Sequence, residues 1–455
     1  MSSPSVAIVG ALPLSDLYRV SEVPRQLKLR QLVCVVLGIC VAIAAFYTYQ
    51  TYRYVANTVG KDAVPSIVAA EQIRAGLANA HTQIANLFLL KEAVDGSSGR
   101  AYVAAINQAH DDLLLAAQNI TYGDEERRPI LSAMKQLSEY ERIVGMALVS
   151  KDPHDLLLKA DLLMRERLLP TVATLDQVNF KHLSHTYIEE RQTAQHYFFA
   201  FLLLSALLVV VMLETQVKLY VVFNRILNPA MLLGLLVFLG SIFLMVLKVN
   251  SLTSEIRSAK EDAFDSVHAL SQAQAVAYSA NAQESIYLLM SNPEIQTKQT
   301  ALFMDEANQI FTTKIGAASA LMANPKDLKG KGFLGDELAN ITFPGEHQAA
   351  ANSLKTWVEY VAIDVQIRRL ESIGQHDKAV ALCVGKLEHQ SDWAFDRFVQ
   401  ALNQTVKINQ NEFDAAIVRA MNALHTMAYL LVILLLAPLI GSIVGVQRRL
   451  VEFRE

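Results

Sequence analysis

Few residues in this chain are spaced for chemistry, and each group also has a plainer reading. His182 and His185 stand three apart on a helical pattern and share a face, with Glu189 one turn on. Two imidazoles and a carboxylate could begin a metal site, but further ligands are lacking, and an exposed polar face is expected instead. Arg165-Glu166-Arg167 and Arg127-Arg128 read as solvated helix surface; an anion site between helices is the alternative. The Lys-Gly-Lys-Gly of 329–332 lacks both the GxxxxGK[ST] spacing and the preceding strand of a phosphate loop. Trp357, Trp393, Phe395 and Phe398 read as core packing rather than a ligand cage. Cys34 and Cys40 lie six apart in one apolar run and Cys383 stands alone, which is neither a disulfide nor a metal pattern. No Ser/His/Asp set or carboxylate pair stands out by spacing. The sequence therefore predicts no catalytic residue, cofactor or metal, and a protein that is not an enzyme.

The elements that must position these residues are helical and membrane-bound. The 455 residues are 52% hydrophobic, with only 19 Gly and 12 Pro, and the mean hydropathy is +0.26. Four apolar runs, 32–52, 197–213, 229–249 and 427–446, are each about long enough to cross a hydrocarbon core of about 30 Å. Residues 1–31 form a polar, irregular segment ending in Arg25, Lys28 and Arg30. Its length, and Tyr47-Thr48-Tyr49-Gln50 at the far end of the first run, favour an uncleaved anchor over a signal peptide. Residues 214–228 make an elbow between the second and third spans, and 447–455 a short tail.

Charge orients the spans. The N-terminal segment, elbow and tail hold nine Lys/Arg against five Asp/Glu, whereas loop 53–196 holds 15 against 18 and loop 250–426 holds 15 against 21. Basic residues stay on the cytoplasmic side. Both termini and the elbow are thus expected in the cytoplasm and both loops outside, in a bacterial inner membrane. No span carries a charge near its centre, which argues against a transporter. Gly441…Gly445 is a GxxxG pattern and Gly38…Ala42 a looser one, both suited to close helix packing.

The two loops read as helical bundles. Ala70, Ile73, Leu77, Ala80, Ile84 and Leu87 step by three and four, the seam of a coiled-coil-like helix. From Arg53 to Glu92 such a helix extends about 60 Å. Breaks at Gly96-Ser-Ser-Gly99, Tyr122-Gly123-Asp124 and Lys151-Asp152-Pro153 separate four antiparallel helices, with Asp152 as an N-cap, Pro153 at the first helical position and Pro170 as a kink. The second loop repeats the plan. Residues 85–90 (ANLFLL) are echoed by 284–289 (ESIYLL), and Tyr140 by Tyr360, each taken to open a helix. A Gly- and Lys-rich insertion, Asn324 to His347, distinguishes the second copy. It is expected at the membrane-distal end, partly folded back, with Lys329, Lys331, Phe333 and Phe343 as a partner-contact loop. The fold class is an all-α membrane protein of two repeated units, each a span, an extracytoplasmic four-helix bundle and a returning span.

A span, an outer four-helix bundle and a returning span resemble bacterial chemoreceptor-type sensors, over about 32–215 and 230–446. The sequence shows no HAMP, methylation, kinase or cyclase module after Gln447. The doubled form also resembles a four-span family of actinobacteria and related bacteria, through ITFPGE (341–346) and the tail Arg448-Arg449-Leu450 with Glu452 and Arg454. One member type of that family works between an extracytoplasmic glutamine/glutamate-type binding protein and a cytoplasmic Ser/Thr kinase. The resemblance implies partners of those two kinds.

Together these readings predict a signal relay that senses a small ligand or a solute-binding protein outside and passes the signal to a separate cytoplasmic partner. Lys218 and Arg225 would form the signal elbow, and Arg448, Arg449 and Arg454 the cytoplasmic contact. A homo-oligomer in contact with lipid is expected, and no nucleic acid. The alternative is a structural scaffold whose bundles assemble in the membrane.

Overall fold

The structure, a computed structural model, describes residues 14–223, 228–312 and 324–451. In chain order the helices are α1 (Leu14–Asn57), α2 (Val64–Leu90), α3 (Ser97–Gln118), α4 (Asp124–Val149), α5 (His154–Leu163), α6 (Leu169–His185), α7 (Arg191–Phe223), α8 (Pro229–Arg257), α9 (Asp265–Leu289) and α10 (Pro293–Ile310). They continue with α11 (Pro325–Leu328), α12 (Phe333–Ala339), α13 (Glu346–Ser372), α14 (His376–Cys383) and α15 (Ser391–Val451). Four π-helical turns, Thr58–Ala63, Met164–Leu168, Thr186–Glu190 and Ser258–Phe264, join neighbouring helices without a break. The described residues contain no strand. The protein is an all-α membrane protein; its described residues include four helical segments long and apolar enough to cross a membrane: Pro24–Leu90, His154–Val221, Pro229–Leu289 and Ser391–Val451.

The chain forms two compact units. A membrane unit comprises Met1–Val55, Ile188–Ser254 and Arg419–Glu455; a bundle unit comprises Ala56–Tyr187 and Glu255–Val418. In the membrane unit, large apolar side chains such as Phe199, Leu203, Leu233, Phe243 and Tyr429 face outward, as lipid contact requires. Small residues line the inner contacts. Gly234 of α8 lies against Gly441 of α15 so closely that a Cβ on Gly234 would stand 2.8 Å from Gly441 Cα. Gly445 faces Met231, and Asn228 Nδ2 donates to Gly445 O at 2.7 Å. Gly38 meets Pro438 Cγ and Leu439 Cδ2, and Ala42, one turn on, is half-buried. Tyr47 stacks on Tyr197 with ring centroids 5.3 Å apart.

Several boundaries differ from the sequence reading. Helix begins at Leu14, so the N-terminal segment is helical well before the first apolar run. The stretch expected as an elbow is helical to Phe223, because α7 continues past the apolar residues. The expected helix from Arg53 to Glu92 contains a π turn at 58–63 and ends at Leu90, where Lys91 takes a left-handed conformation. Pro153 precedes α5 rather than opening it, and Asp152 Oδ1 reaches only His154 N, at 3.4 Å. Pro170 does not break its helix. It stands two residues past the last residue of the π turn 164–168, as Pro65 stands two past the π turn 58–63. A π turn already disrupts the regular hydrogen-bond ladder where proline has no N–H to offer. Tyr140 and Tyr360 lie in mid-helix rather than at a start, and both are fully buried.

The bundle unit has two halves. In the first, α2, α3, α4 and the α5–α6 segment enclose a core of Ile73, Leu77, Leu113, Leu137, Tyr140 and Leu168, among others. In the second, α9, α10, α13, α14 and the first part of α15 enclose Phe303, Leu354, Trp357, Tyr360, Phe395 and Phe398. Helices α2 and α9 are buried on nearly every side, because each belongs to its own half and also packs along the other. Thr82 Oγ1 donates to Tyr278 O at 3.1 Å, and Ser285 Oγ donates to Asn86 Oδ1 at 2.6 Å across this contact. Ala85 and Ile286 share a small apolar cluster there with Leu157 and Met290.

One turn recurs in both halves. Asn119-Ile-Thr-Tyr122 leads into α4, and Asn340-Ile-Thr-Phe343 leads into α13. Buried Glu126 accepts from Thr121 N and Tyr122 N, both at 2.6 Å. Buried Glu346 accepts from Thr342 N at 2.6 Å and Phe343 N at 2.8 Å. Asn119 Nδ2 donates to Ser66 Oγ, and Asn340 Nδ2 to Ser266 Oγ, the two serines lying just after the π turns 58–63 and 258–264. The insertion therefore does not sit where the sequence placed it. Asn340 also donates to the carbonyls of Glu261 and Asp262, which ties the insertion to the start of α9, at the end of the bundle continuous with α8. Four alternating helices put the link between the second and third at the end where the first begins.

Candidate functional site

A cavity of about 240 Å³ opens between the two halves of the bundle unit, near the ends of α2 and α9. Each wall follows from helical spacing. Asn79, Gln83 and Asn86 stand at i, i+4 and i+7 on α2; Tyr278 and Asn281 stand at i and i+3 on α9. Ser97 and Ser98 come from the first turn of α3. Asp392 and Asp396, at i and i+4 on α15, form the acidic wall, with Lys386 from the preceding loop. The lining is mostly polar, unlike the two cores on either side.

The lining is only partly buried: Asp392 is half-buried, and Asp396 and Lys386 are exposed. Asn86 and Asn281 are buried and partnered: Asn86 Oδ1 accepts from Ser285 Oγ at 2.6 Å, and Asn281 Nδ2 meets Tyr360 Oη at 3.4 Å. Asp392 and Asp396 have no hydrogen-bond or ion-pair partner among the described residues. Burial and the neighbouring Asp396 push the Asp392 carboxyl up to about 7, against the pull of Lys386.

Behind the cavity lies a buried charged network. Ser391 Oγ donates to Glu284 Oε1 at 2.7 Å, and Arg368 Nε donates to Asp364 Oδ2 at 2.8 Å. Burial, then Asp364, pushes Glu284 up to about 8, so it keeps its proton near neutrality. The Arg368 guanidinium lies 4.5 Å from the Tyr287 ring centroid and 4.9 Å from that of Phe303. The first half has its own network: His81 bridges Tyr140 Oη at 3.0 Å and Asp161 Oδ1 at 3.3 Å. Burial would raise Asp161, but the bond and charge of His81, with Arg165 and Gln299, hold it below the usual carboxylate range. Gln299 belongs to α10, so this network also crosses between the halves.

A three-residue cluster escaped the sequence reading. Glu71, Asp176 and His268, from α2, α6 and α9, bring one potential metal-ligand atom each within 4.8 Å of one another. Internal partners already serve them. His268 Nε2 meets Asp176 Oδ1 at 2.9 Å, and Arg74 Nη1 meets both oxygens of Glu71 at 2.7 and 2.8 Å. The His268 ring stacks on Phe180 and Phe264. The guanidinium stands where a cation would otherwise neutralise Glu71.

The residues singled out in the sequence are dispersed. His182 stacks on Tyr122 at 4.0 Å and its Nε2 meets Glu125 at 3.0 Å. Arg127 and Arg128 both pair with Asp124, Arg165 with Asp161 and Glu166, and Arg167 with Glu139, so carboxylates already occupy the proposed anion site. Trp357, Phe395 and Phe398 are core, and Trp393 is half-buried under Arg397. Lys331 is exposed, and Lys329 lines an acid-rich cavity of about 280 Å³ with Glu261, Asp265 and Asp336. Phe333 and Ile341 pack on the second core, and Phe343 is half-buried. Lys218 and Arg448 are exposed on helices; Arg225 and Arg454 lie outside the described residues. The cavity residues were missed because each polar residue in a buried helix looks like an isolated exception. Only the spacing of Asn79, Gln83 and Asn86 offered a signal.

No curated protein matches this chain, and no solved structure does. Residues 55–188, which span the first half of the bundle unit, match the family described as the actinobacterial sensor domain.

Proposed function

We propose that this chain is a transmembrane signal relay whose bundle unit receives a small ligand or a solute-binding protein, and whose opposite face acts on a separate cytoplasmic partner. The observation that carries this reading is the sensor-domain match over 55–188, in a chain whose bundle helices run without a break into membrane-length apolar segments. A continuous helix transmits a shift along or around its axis without needing a hinge. The requirement is a ligand with different affinity for two packings of the halves, and the cavity between them is placed to impose that difference. The recurring Asn-Ile-Thr-aromatic turn, the paired π turns and the paired serines favour two copies of one sensor-like unit. The charge distribution favours cytoplasmic termini, with Lys218, Arg225 and the Arg448-Arg449 tail as partner contacts.

Spin labels at Lys218→Cys and Arg448→Cys, in a chain lacking Cys34, Cys40 and Cys383 and held in lipid nanodiscs, test the relay. The distance between the labels should change when a stimulus binds the bundle unit. An unchanged distance under saturating stimulus, with membrane pull-downs that recover only this chain and envelope components, would leave the scaffold reading in its place.

A further inference from the structure

Each half of the bundle unit has a cavity beside the recurring turn, and a carboxyl group present in one has no counterpart in the other. The first-half cavity, about 230 Å³, is lined by Ser66 and Ala69 of α2 and by Ala116 and Asn119 at the end of α3. The second-half cavity, about 280 Å³, is lined by Ser266 and Ala269 of α9 and by Glu337 and Asn340 at the end of α12. Asn119 N donates to Ala116 O at 3.2 Å, and Asn340 N donates to Glu337 O at 2.9 Å, so Ala116 and Glu337 hold the same place before the turn. Glu337 is 1% exposed; its Oε1 accepts from Asn409 Nδ2 at 3.4 Å, and Ser266 and Glu346 are its other hydrogen-bonding neighbours. Burial, reinforced by Glu346 against the pull of Ser266, pushes it up to about 8, so it keeps its proton near neutrality. That one proton serves Glu337 Oε2 and Glu346 Oε1, two buried oxygens with no other partner among the described residues.

In the first half that place is open. The Ala116 side chain ends at Cβ, and the cavity runs past it to Glu126 and Asn179. Glu126 matches Glu346, since each holds the two amides of its turn. Asn179 matches Asn409: both are fully buried on the last helix of their half, and each donates to the carbonyl four residues back, Leu175 at 3.0 Å and Thr405 at 3.2 Å. Asn179 Oδ1 is buried with no partner among the described residues, which costs free energy unless an occupant supplies a donor. Resting on the sensor reading above, we propose that this cavity binds a small aliphatic primary carboxamide in the place that the Glu337 carboxyl takes in the other half. Its carbonyl accepts from Asn179 Nδ2, its two N–H groups donate to Asn179 Oδ1 and Glu126, and its short chain lies against Ile130 and Leu175.

The inventory of donors and acceptors selects this class. A carboxylate would bring two more acceptors to Glu126 and Asn179 Oδ1. An ammonium would offer nothing to Asn179 Nδ2. A neutral carboxyl has one proton, and Glu337 accordingly leaves Asn409 Oδ1 without a donor. A primary amide carries two N–H groups and one carbonyl, and serves all three. Glu126 stands in the first turn of α4 and Asn179 on α6, so the ligand binds best in the packing that holds those helices at their present spacing.

Calorimetric titration of the full chain in nanodiscs with butyramide tests the assignment, with butyrate and butylamine at pH 7.5 as comparators. Butyramide should bind and the comparators should not. Ala116→Glu and Ala116→Gln extend the chain's own carboxyl or amide into the cavity, and each should weaken butyramide binding at least tenfold. Gln118→Glu, on an exposed side chain at the end of the same helix, should leave it unchanged. Absence of butyramide binding, equal binding of butyrate or butylamine, or binding that survives both Ala116 variants overturns the ligand class. The spin-label distance, read on the same samples, separates the two levels. Butyramide binding with no distance change keeps the ligand class and removes the relay; a distance change driven by another stimulus, with no butyramide binding, does the reverse.

Discussion

Ser285 donates to Asn86 at 2.6 Å across the contact between α2 and α9, and the two residues stand 199 positions apart. That separation equals the offset at which residues 85–90 and 284–289 align in sequence. The bond therefore joins positions that this alignment pairs. A buried hydroxyl-to-amide bond is worth about 0.5–1.5 kcal/mol net. Ser285→Ala should lower unfolding stability by about 1 kcal/mol, as should Asn86→Leu. In a double-mutant cycle the losses should be less than additive, because both remove the same bond. Denaturant unfolding in mild detergent measures this, and strict additivity would refute the coupling.

The two recurring turns should respond alike. Glu126→Gln and Glu346→Gln each replace a charged acceptor of two backbone N–H groups with a neutral one. Charge-assisted bonds are about twice as strong as neutral ones, so each change should cost on the order of 1–2 kcal/mol. Hydrogen exchange should quicken at the amides of Thr121 and Tyr122 in the first variant, and of Thr342 and Phe343 in the second. Quickening in only one half would count against equivalent turns.

Helix packing in the membrane unit should be sensitive at Gly234 and indifferent at Gly240. A Cβ at Gly234 would meet Gly441 Cα and Ala437 O at 2.8 and 2.9 Å, both backbone, whereas one at Gly240 meets nothing within 4 Å. Gly234→Ala should force α8 and α15 apart and lower resistance to SDS unfolding; Gly240→Ala should not. Equal behaviour of the two variants would show that this contact is dispensable.

Three buried acids set a pH dependence. Burial is the first cause that pushes Glu284, Glu306 and Glu337 each up to about 8, reinforced at Glu284 by Asp364 and at Glu337 by Glu346. In the unfolded chain a glutamate titrates near 4.3. Between those values the folded state retains protons that the unfolded state has lost, so stability falls as pH rises from about 4.5 to 8. Asp161 works in the opposite sense: its lowered pKa adds stability above about 3.9 that is lost on further acidification. Unfolding midpoints should therefore be higher at pH 5.5 than at 8.5. Glu337→Gln, which cannot ionise, should shrink that difference. A midpoint that rises with pH would contradict the assignment.

The spans, the helical class and most helix breaks were legible in the sequence because each depends on local pattern. Sustained apolarity marks a span, and Gly-Ser-Ser-Gly or Tyr-Gly-Asp interrupts a helix wherever it occurs. The π turns were not legible, because a residue's accommodation in a wide turn depends on the helices packed beside it. Gly60, within the first π turn, is an example: a Cβ there would come within 2.8 Å of Ile417. The insertion lies at the end where α9 begins, because alternating helices return the link between the second and third to the end where the first starts, a consequence of direction rather than of local pattern.

The sequence by itself determined that this is a helical membrane protein, since burying a backbone in lipid leaves few options and the apolar runs have the length that one of them demands. Only the tertiary structure decided where chemistry can occur. Asn86, Asn281, Asp392 and Asp396 come from three helices, the first and last of these residues 310 positions apart, and none is unusual in its own segment. Their significance lies in the convergence of α2, α9 and α15 on one cavity, and convergence is a property of packing in space.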